Sequence, residues 1–156
     1  MILQSELYPI GRVQKTHGIK GELSIILTSE FDTLEANWQS HDFFYLHIKK
    51  TDSYGEDGNF DAKVHIMEQV DEMIPRVMKL KPDVIVITGD HSTPSLTKSH
   101  SWHPVPILLH SNLCRRDAVQ KFSELDCLSG AIGRIPSVSV MPLAMANAQK
   151  LLKFGA

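Results

Sequence analysis

Asp90 and His91 are adjacent in the sequence, and His100 and His103 follow closely, so that four side chains able to hold a metal ion fall within fourteen residues. Carboxylate oxygen and imidazole nitrogen together suit a divalent transition metal. The pair sits in Thr88-Gly89-Asp90-His91-Ser92-Thr93-Pro94, and the later histidines in Lys98-Ser99-His100-Ser101-Trp102-His103-Pro104-Val105-Pro106. The alternative is a polar loop whose histidines do no more than satisfy local hydrogen bonds, since short motifs match by chance. The density of donors directly after an apolar run favours the metal.

That apolar run is Asp83-Val84-Ile85-Val86-Ile87, bounded by Pro82 and Gly89. Its length and branched side chains predict a strand buried on both faces of a parallel sheet. Asp90 and His91 would then leave the sheet at its carboxyl edge, where open α/β sheets place ligands. Before the strand, Val64, Met67, Val70, Ile74 and Val77 form one apolar stripe of a helix beginning near Phe60. Pro75 should bend or divide that helix, and Lys79-Leu80-Lys81-Pro82 should end it. After the loop, residues 104–110 predict a second strand whose prolines, Pro104 and Pro106, put its start at an edge or bulge. Residues 105–109 should pair in parallel with 84–87. A helix over 117–125, a loop over 130–137 and an amphipathic terminal helix over 138–153 complete an α/β arrangement.

Nearer the amino terminus, residues 8–27 read as a β-hairpin turning at Gly18 and Gly21, with 22–27 as its second strand. A helical turn over 32–36 and an aromatic-rich strand over 42–48 follow. Residues 53–59 read as a polar turn, and Asp52, Glu56 and Asp57 gather three carboxylates there. They could equally solvate the loop and favour the start of the next helix. Charge changes near His47: residues 1–46 hold three Lys/Arg against six Asp/Glu, and 47–156 hold thirteen against twelve. Two segments of different character, 1–46 and 47–156, are expected.

Composition narrows the classes. The 156 residues make one ordinary domain or two small ones, and 42% hydrophobic with 22% charged residues describes a globular chain. A formal net charge of −2 gives no basic footprint for nucleic acid or an acidic membrane. No apolar stretch approaches the roughly 20 residues that cross a bilayer. The start lacks the pattern of a signal peptide. The two cysteines, Cys114 and Cys127, form no Cys-x-x-Cys motif, so a reduced, cytoplasmic setting is expected.

Two resemblances sharpen this reading. Ile10-Gly11-Arg12-Val13 followed by Thr16-His17-Gly18-Ile19-Lys20-Gly21-Glu22-Leu23 resembles the amino-terminal β-barrel domain of the ribosome maturation factor RimM, over about residues 4–46. It implies a small antiparallel β unit and a ribosomal partner. Residues 47–156 resemble the carboxyl-terminal part of archaeal-type, cofactor-independent phosphoglycerate mutase. The motifs run from His47-Ile48-Lys49-Lys50-Thr51-Asp52 and Ser53-Tyr54-Gly55-Glu56-Asp57-Gly58-Asn59, through the two histidine motifs, to Lys150-Leu151-Leu152-Lys153-Phe154-Gly155-Ala156. This resemblance implies a partial alkaline-phosphatase-like parallel sheet flanked by helices, with divalent Mn²⁺, Zn²⁺ or Mg²⁺ as cofactor and a phosphoglycerate as substrate.

By that resemblance Asp52 matches an aspartate of a first metal position, and His100 the histidine that completes it. Glu56 stands where relatives usually have histidine, which would make the position harder and better suited to Mn²⁺ or Mg²⁺. Asp90 and His91 match two ligands of a second metal. His103 is either a substrate contact or a satisfied loop histidine. In the family, the nucleophilic serine, a further aspartate ligand and the arginines that bind substrate come from other parts of the enzyme. Ser24, Ser29, Ser53 and Ser92 do not stand in that serine's context, so no catalytic residue is assigned. The resemblance thus implies a metal-binding segment of a phosphoglycerate mutase, inactive alone or capable of weak phosphatase chemistry. The alternatives are a binding role in ribosome maturation (16S rRNA processing) through the RimM-like part, or two joined gene fragments that retain neither function.

Overall fold

The structure, a computed structural model, describes residues 22–151, with side chains from Glu30 onward. The chain divides between Lys81 and Pro82 into two compact units. Helices dominate the first and a two-stranded sheet anchors the second, so the mixed α/β class is as expected.

In the first unit, helix α1 spans Glu22–Asn37, a 3-10 turn spans Trp38–Ser40, α2 spans Lys50–Asp57 and α3 spans Phe60–Lys79. The strand expected over 22–27 is helical instead. Sixteen residues without Gly or Pro, three of them Leu and three Glu, let the helix propagate. The rest of the expected hairpin, with most of the RimM-like motif, lies outside the described residues. Phe31 and Leu34, three apart on one face of α1, are buried, as is Ile66 of α3, the helix against which α1 packs. The pair Asp32 and Glu35, displaced by one residue from Phe31 and Leu34, reaches Arg76 of α3 at 2.7 Å and 2.8 Å. Met67, expected in the buried stripe, is 47% exposed; Ile66 takes that place.

The Arg76 guanidinium holds the Glu35 carboxyl below its ordinary value, chiefly by hydrogen bonding, and the two carboxylates push Arg76 upward. A depressed carboxyl stabilises the fold above its unfolded pKa and loses that contribution as pH falls through the folded value. Arg76→Ala is therefore expected to melt below wild type at neutral pH, with the gap closing toward zero well below pH 4.5. Thermal melts of both chains across that range check it; a constant gap would locate the effect in packing alone.

The polar turn expected over 53–59 is mostly helix α2. It stops at Gly58, whose φ of 72° is the left-handed conformation that ends helices, and whose N–H donates to Gly55 O at 3.0 Å. Asn59 then starts α3, its Oδ1 accepting the Ala62 N–H at 3.1 Å. Helix α3 runs unbroken through Pro75, which therefore does not divide it. The ring removes one backbone bond, and the turns on either side keep the helix continuous. Residues 42–48 form no strand. The first unit contains no strand among the described residues to pair with them, and their rings pack locally, Phe44 on Trp38 at 5.2 Å and Tyr45 on His47 at 6.2 Å.

In the second unit, β1 (Val84–Thr88) and β2 (Ile107–Ser111) pair antiparallel, with Val84 opposite Ser111 and Thr88 opposite Ile107. This overturns the parallel pairing expected for 84–87 with 105–109. A parallel return needs a crossover, usually helical, and no helix separates Thr88 from Ile107. Strand β2 starts only after Pro106, as a residue lacking an N–H donor requires. The apolar residues of β1 are half-buried rather than covered on both faces, because two strands leave most of a sheet uncovered.

Helix α4 is the single turn Glu124–Cys127, not a helix over 117–125. Asp117 instead accepts the Val119 and Ala131 N–H groups at 3.0 Å and 2.9 Å, and these bonds lower its carboxyl pKa. The expected terminal helix is shorter: a 3-10 turn at Ser137–Ser139 leads into α5, Val140–Asn147, and Gln149 leaves it with φ 57°. Helix α5 packs on β1. The hydroxyl of buried Ser111, at the end of β2, donates to Asn147 Oδ1 at 2.8 Å. No helix among the described residues is long and apolar enough to cross a membrane.

Candidate metal centre

Antiparallel pairing sets the end of β1 beside the start of β2, so residues 89–106 fold back over one end of the ribbon. The Thr88 hydroxyl donates to Pro106 O at 2.9 Å and ties the base of this loop. Midway, Ser101 N–H donates to Ser92 O at 2.9 Å and the two residues form an antiparallel bridge. His91 and His100 lie beside that bridge, one on each limb. Their ring centroids are 3.9 Å apart, and a nitrogen of each falls within 4.8 Å of the other. Two imidazoles nine positions apart in sequence thus become neighbours through one backbone hydrogen bond.

His91 is oriented by its other nitrogen. Its Nδ1 lies 3.1 Å from the Thr93 hydroxyl, and Thr93 is buried, which leaves Nε2 as the donor for a ligand. Asp90 Oδ1 accepts the His91 N–H at 3.0 Å, and Asp90 Oδ2 lies 3.5 Å from His91 Nε2. His103 is engaged differently: its Nδ1 is 2.8 Å from Ser101 Oγ and its ring stacks on Trp102 at 5.1 Å. Loop 89–106 therefore brings together Asp90, His91 and His100 of the expected residues, and turns His103 toward a serine. Thr93, Ser101 and Trp102 were not singled out by spacing, although each lies within two residues of a histidine that was.

In the first unit, Asp52 is half-buried in the first turn of α2, and Glu56 follows four residues later, one turn along the same face. Two imidazoles and a carboxylate on one loop suit Zn²⁺ or Mn²⁺, and the carboxylates of α2 are harder donors that Mn²⁺ and Mg²⁺ accept. The donors of loop 89–106 fit a divalent ion.

Comparison with known proteins agrees with this chemistry. Residues 16–147 match the family model described as Metalloenzyme superfamily, a match that begins within the RimM-like segment. A protein of Thermotoga neapolitana named "Probable 2,3-bisphosphoglycerate-independent phosphoglycerate mutase" is 57% identical over 127 residues, which is 81% of this chain and 32% of that protein. One of the same name from Aquifex aeolicus is 52% identical over 130 residues, 83% of this chain and 32% of its own length. The chain thus spans about a third of the length of the curated relatives it matches. Among solved structures, the PH0037 protein of Pyrococcus horikoshii superposes with a TM-score of 0.77 at 34% identity, over 81% of this chain and 39% of that one.

Proposed function

The chain belongs to the Metalloenzyme superfamily, and from that premise we propose that it is a metal-binding, carboxyl-terminal segment of a 2,3-bisphosphoglycerate-independent phosphoglycerate mutase. Such an enzyme interconverts 3- and 2-phosphoglycerate in glycolysis, in the cytoplasm. The observation that carries the reading is the juxtaposition of His91 and His100 across the Ser92–Ser101 bridge. It supplies paired imidazoles in a chain whose relatives bear that enzyme's name.

In this reading Asp52, Glu56 and His100 are donors to one divalent ion, and Asp90 and His91 are donors to a second position. All five lie in 47–156, the segment with the mutase-like motifs; residues 1–46 contribute none. The assignment of Asp52 and Glu56 rests on those motifs. A bound Mn²⁺, Zn²⁺ or Mg²⁺ would supply Lewis-acid stabilisation to the oxygens of a phosphoryl group. Thr93 lies against the His91 ring, and the bond between Thr88 and Pro106 ties the base of the loop that carries Asp90, His91 and His100. A ribosome-maturation role through the motif at 10–23 is the alternative, and the acidic balance of residues 1–46 weighs against an RNA partner.

Calorimetric titration with Mn²⁺ and with Zn²⁺ tests the proposal. The Asp52→Ala, His100→Ala double variant is expected to lose affinity by more than the roughly 10–100-fold that follows loss of a ligand's hydrogen-bond partner. Equal affinity of the variant and the wild type would overturn it.

A further inference from the structure

We propose that residues 43–48 are a strand edge to which a second copy of the chain adds the same residues, antiparallel and about a two-fold axis at Leu46.

The segment has the geometry of a strand without its ladder. His41, which ends the preceding 3-10 turn, is extended, with φ −140° and ψ 145°. Beyond it Phe44, Leu46 and Ile48 are half-buried while Tyr45, His47 and Lys49 are exposed, the period-two alternation of a pleated chain. Yet among the described residues no hydrogen bond reaches the backbone of Phe43 through His47. An extended, aromatic-rich run whose N–H and C=O groups lack protein partners is a template for an added strand.

The run is complementary to itself. A two-fold axis between antiparallel strands sets one residue opposite its own copy. With Leu46 in that position, Phe44 falls opposite Ile48 and Tyr45 opposite His47. Apolar side chains then meet on the half-buried face and rings meet on the exposed one, the kinds of cross-strand pair that stabilise a ribbon. Asp42 falls opposite Lys50, beside Lys49, where α2 begins, and the axis repeats this opposite-charge contact at the other end. Moving the axis to Tyr45 would set Asp42 against Ile48 and lose that contact. A stable interface takes roughly 20–30 residues a side, so a ribbon of this length gives a weak, concentration-dependent dimer.

Disulfide trapping in the full chain tests the register. Cys114→Ser and Cys127→Ser first remove the native thiols. Opposed residues of antiparallel strands stand about 4.5–5.5 Å apart at Cα, within the span of a disulfide. Leu46→Cys on that background is therefore expected to give a covalent dimer on mild oxidation. Tyr45 is two residues out of step with its own copy, beyond the ~7 Å limit, so Tyr45→Cys should give none alone and a mixed dimer with His47→Cys. Sedimentation of the chain with its native cysteines is the second measurement. Asp42→Lys should raise the dimer dissociation constant about tenfold, and adding Lys49→Glu and Lys50→Glu should restore it, which an unfolded variant would not do. No crosslink at Leu46→Cys, equal crosslinking at Tyr45→Cys, or a dissociation constant unmoved by Asp42→Lys would overturn the pairing. A wild-type chain that stays monomeric up to its solubility limit would overturn it too, and would leave the edge to a strand of another protein.

Discussion

Replacing Ile66 by alanine is expected to cost the first unit about 2–5 kcal/mol, and replacing its neighbour Met67 less than about 1 kcal/mol. The two residues have similar apolar volume and share a helix, yet Ile66 is 1% exposed and Met67 47%. Removing the branched side chain of Ile66 takes away its transfer free energy and leaves a void that close-packed neighbours only partly fill. Few side chains can compensate. Among the described residues only Phe31 and Leu34 join Ile66 as buried large apolar groups. A domain is stable by only about 5–15 kcal/mol, so the Ile66 variant should be close to unfolding while Met67→Ala is nearly silent. Urea denaturation gives both values, with a lowered midpoint and an unchanged slope for Ile66→Ala. Equal losses would return Met67 to the core and remove the observed facing of α3.

That contrast also shows how far the sequence could be read. The limits of α3 were legible because they depend on local chemistry: an Asn side chain bonding the first turn, and basic residues before a proline at the end. The choice between Ile66 and Met67 was not, since both fit a helical stripe and only the direction of packing against α1 separates them. Residues 22–27 failed for a related reason. Leu23, Ile26 and Leu27 fit helical spacing as readily as Leu23, Ile25 and Leu27 fit alternation, and six residues cannot separate the two periods. The aromatic run at 42–48 has strand propensity, but that propensity is realised through cross-strand partners. In the second unit β1 was readable from its branched residues, whereas its pairing direction was set by a non-helical return that composition does not encode. At the site, the residue types Asp90, His91 and His100 were visible, and the bridge that seats His91 against His100 was not.

The largest effect concerns activity: assayed by itself with Mn²⁺, the 156-residue chain is expected to convert no measurable 3-phosphoglycerate to 2-phosphoglycerate. Slow phosphomonoester hydrolysis that disappears on chelation is expected in its place. Hydrolysis asks only that a phosphoryl group be engaged by the donors and attacked once. Mutation of phosphoglycerate asks for a round trip, in which a nucleophile takes the phosphoryl group, glycerate is kept and reoriented, and the group returns to the other hydroxyl. Loop 89–106 offers metal donors, but it offers no arginine to grip the glycerate carboxylate. By the family resemblance, those clamps and the serine of the mutase reaction come from other parts of the enzyme, and this chain matches only 32% of its relatives' length. Holding a reactant in place can supply roughly 7–11 kcal/mol of a barrier, so losing the clamps removes far more than the remaining donors can restore. Conversion coupled to enolase is the measurement. Robust turnover that Asp90→Ala abolishes would show that the chain carries its own means of retaining glycerate. A low phosphatase rate without 2-phosphoglycerate, lost in chelator and in His100→Ala alike, is the result that the proposed metal site without a glycerate clamp should give.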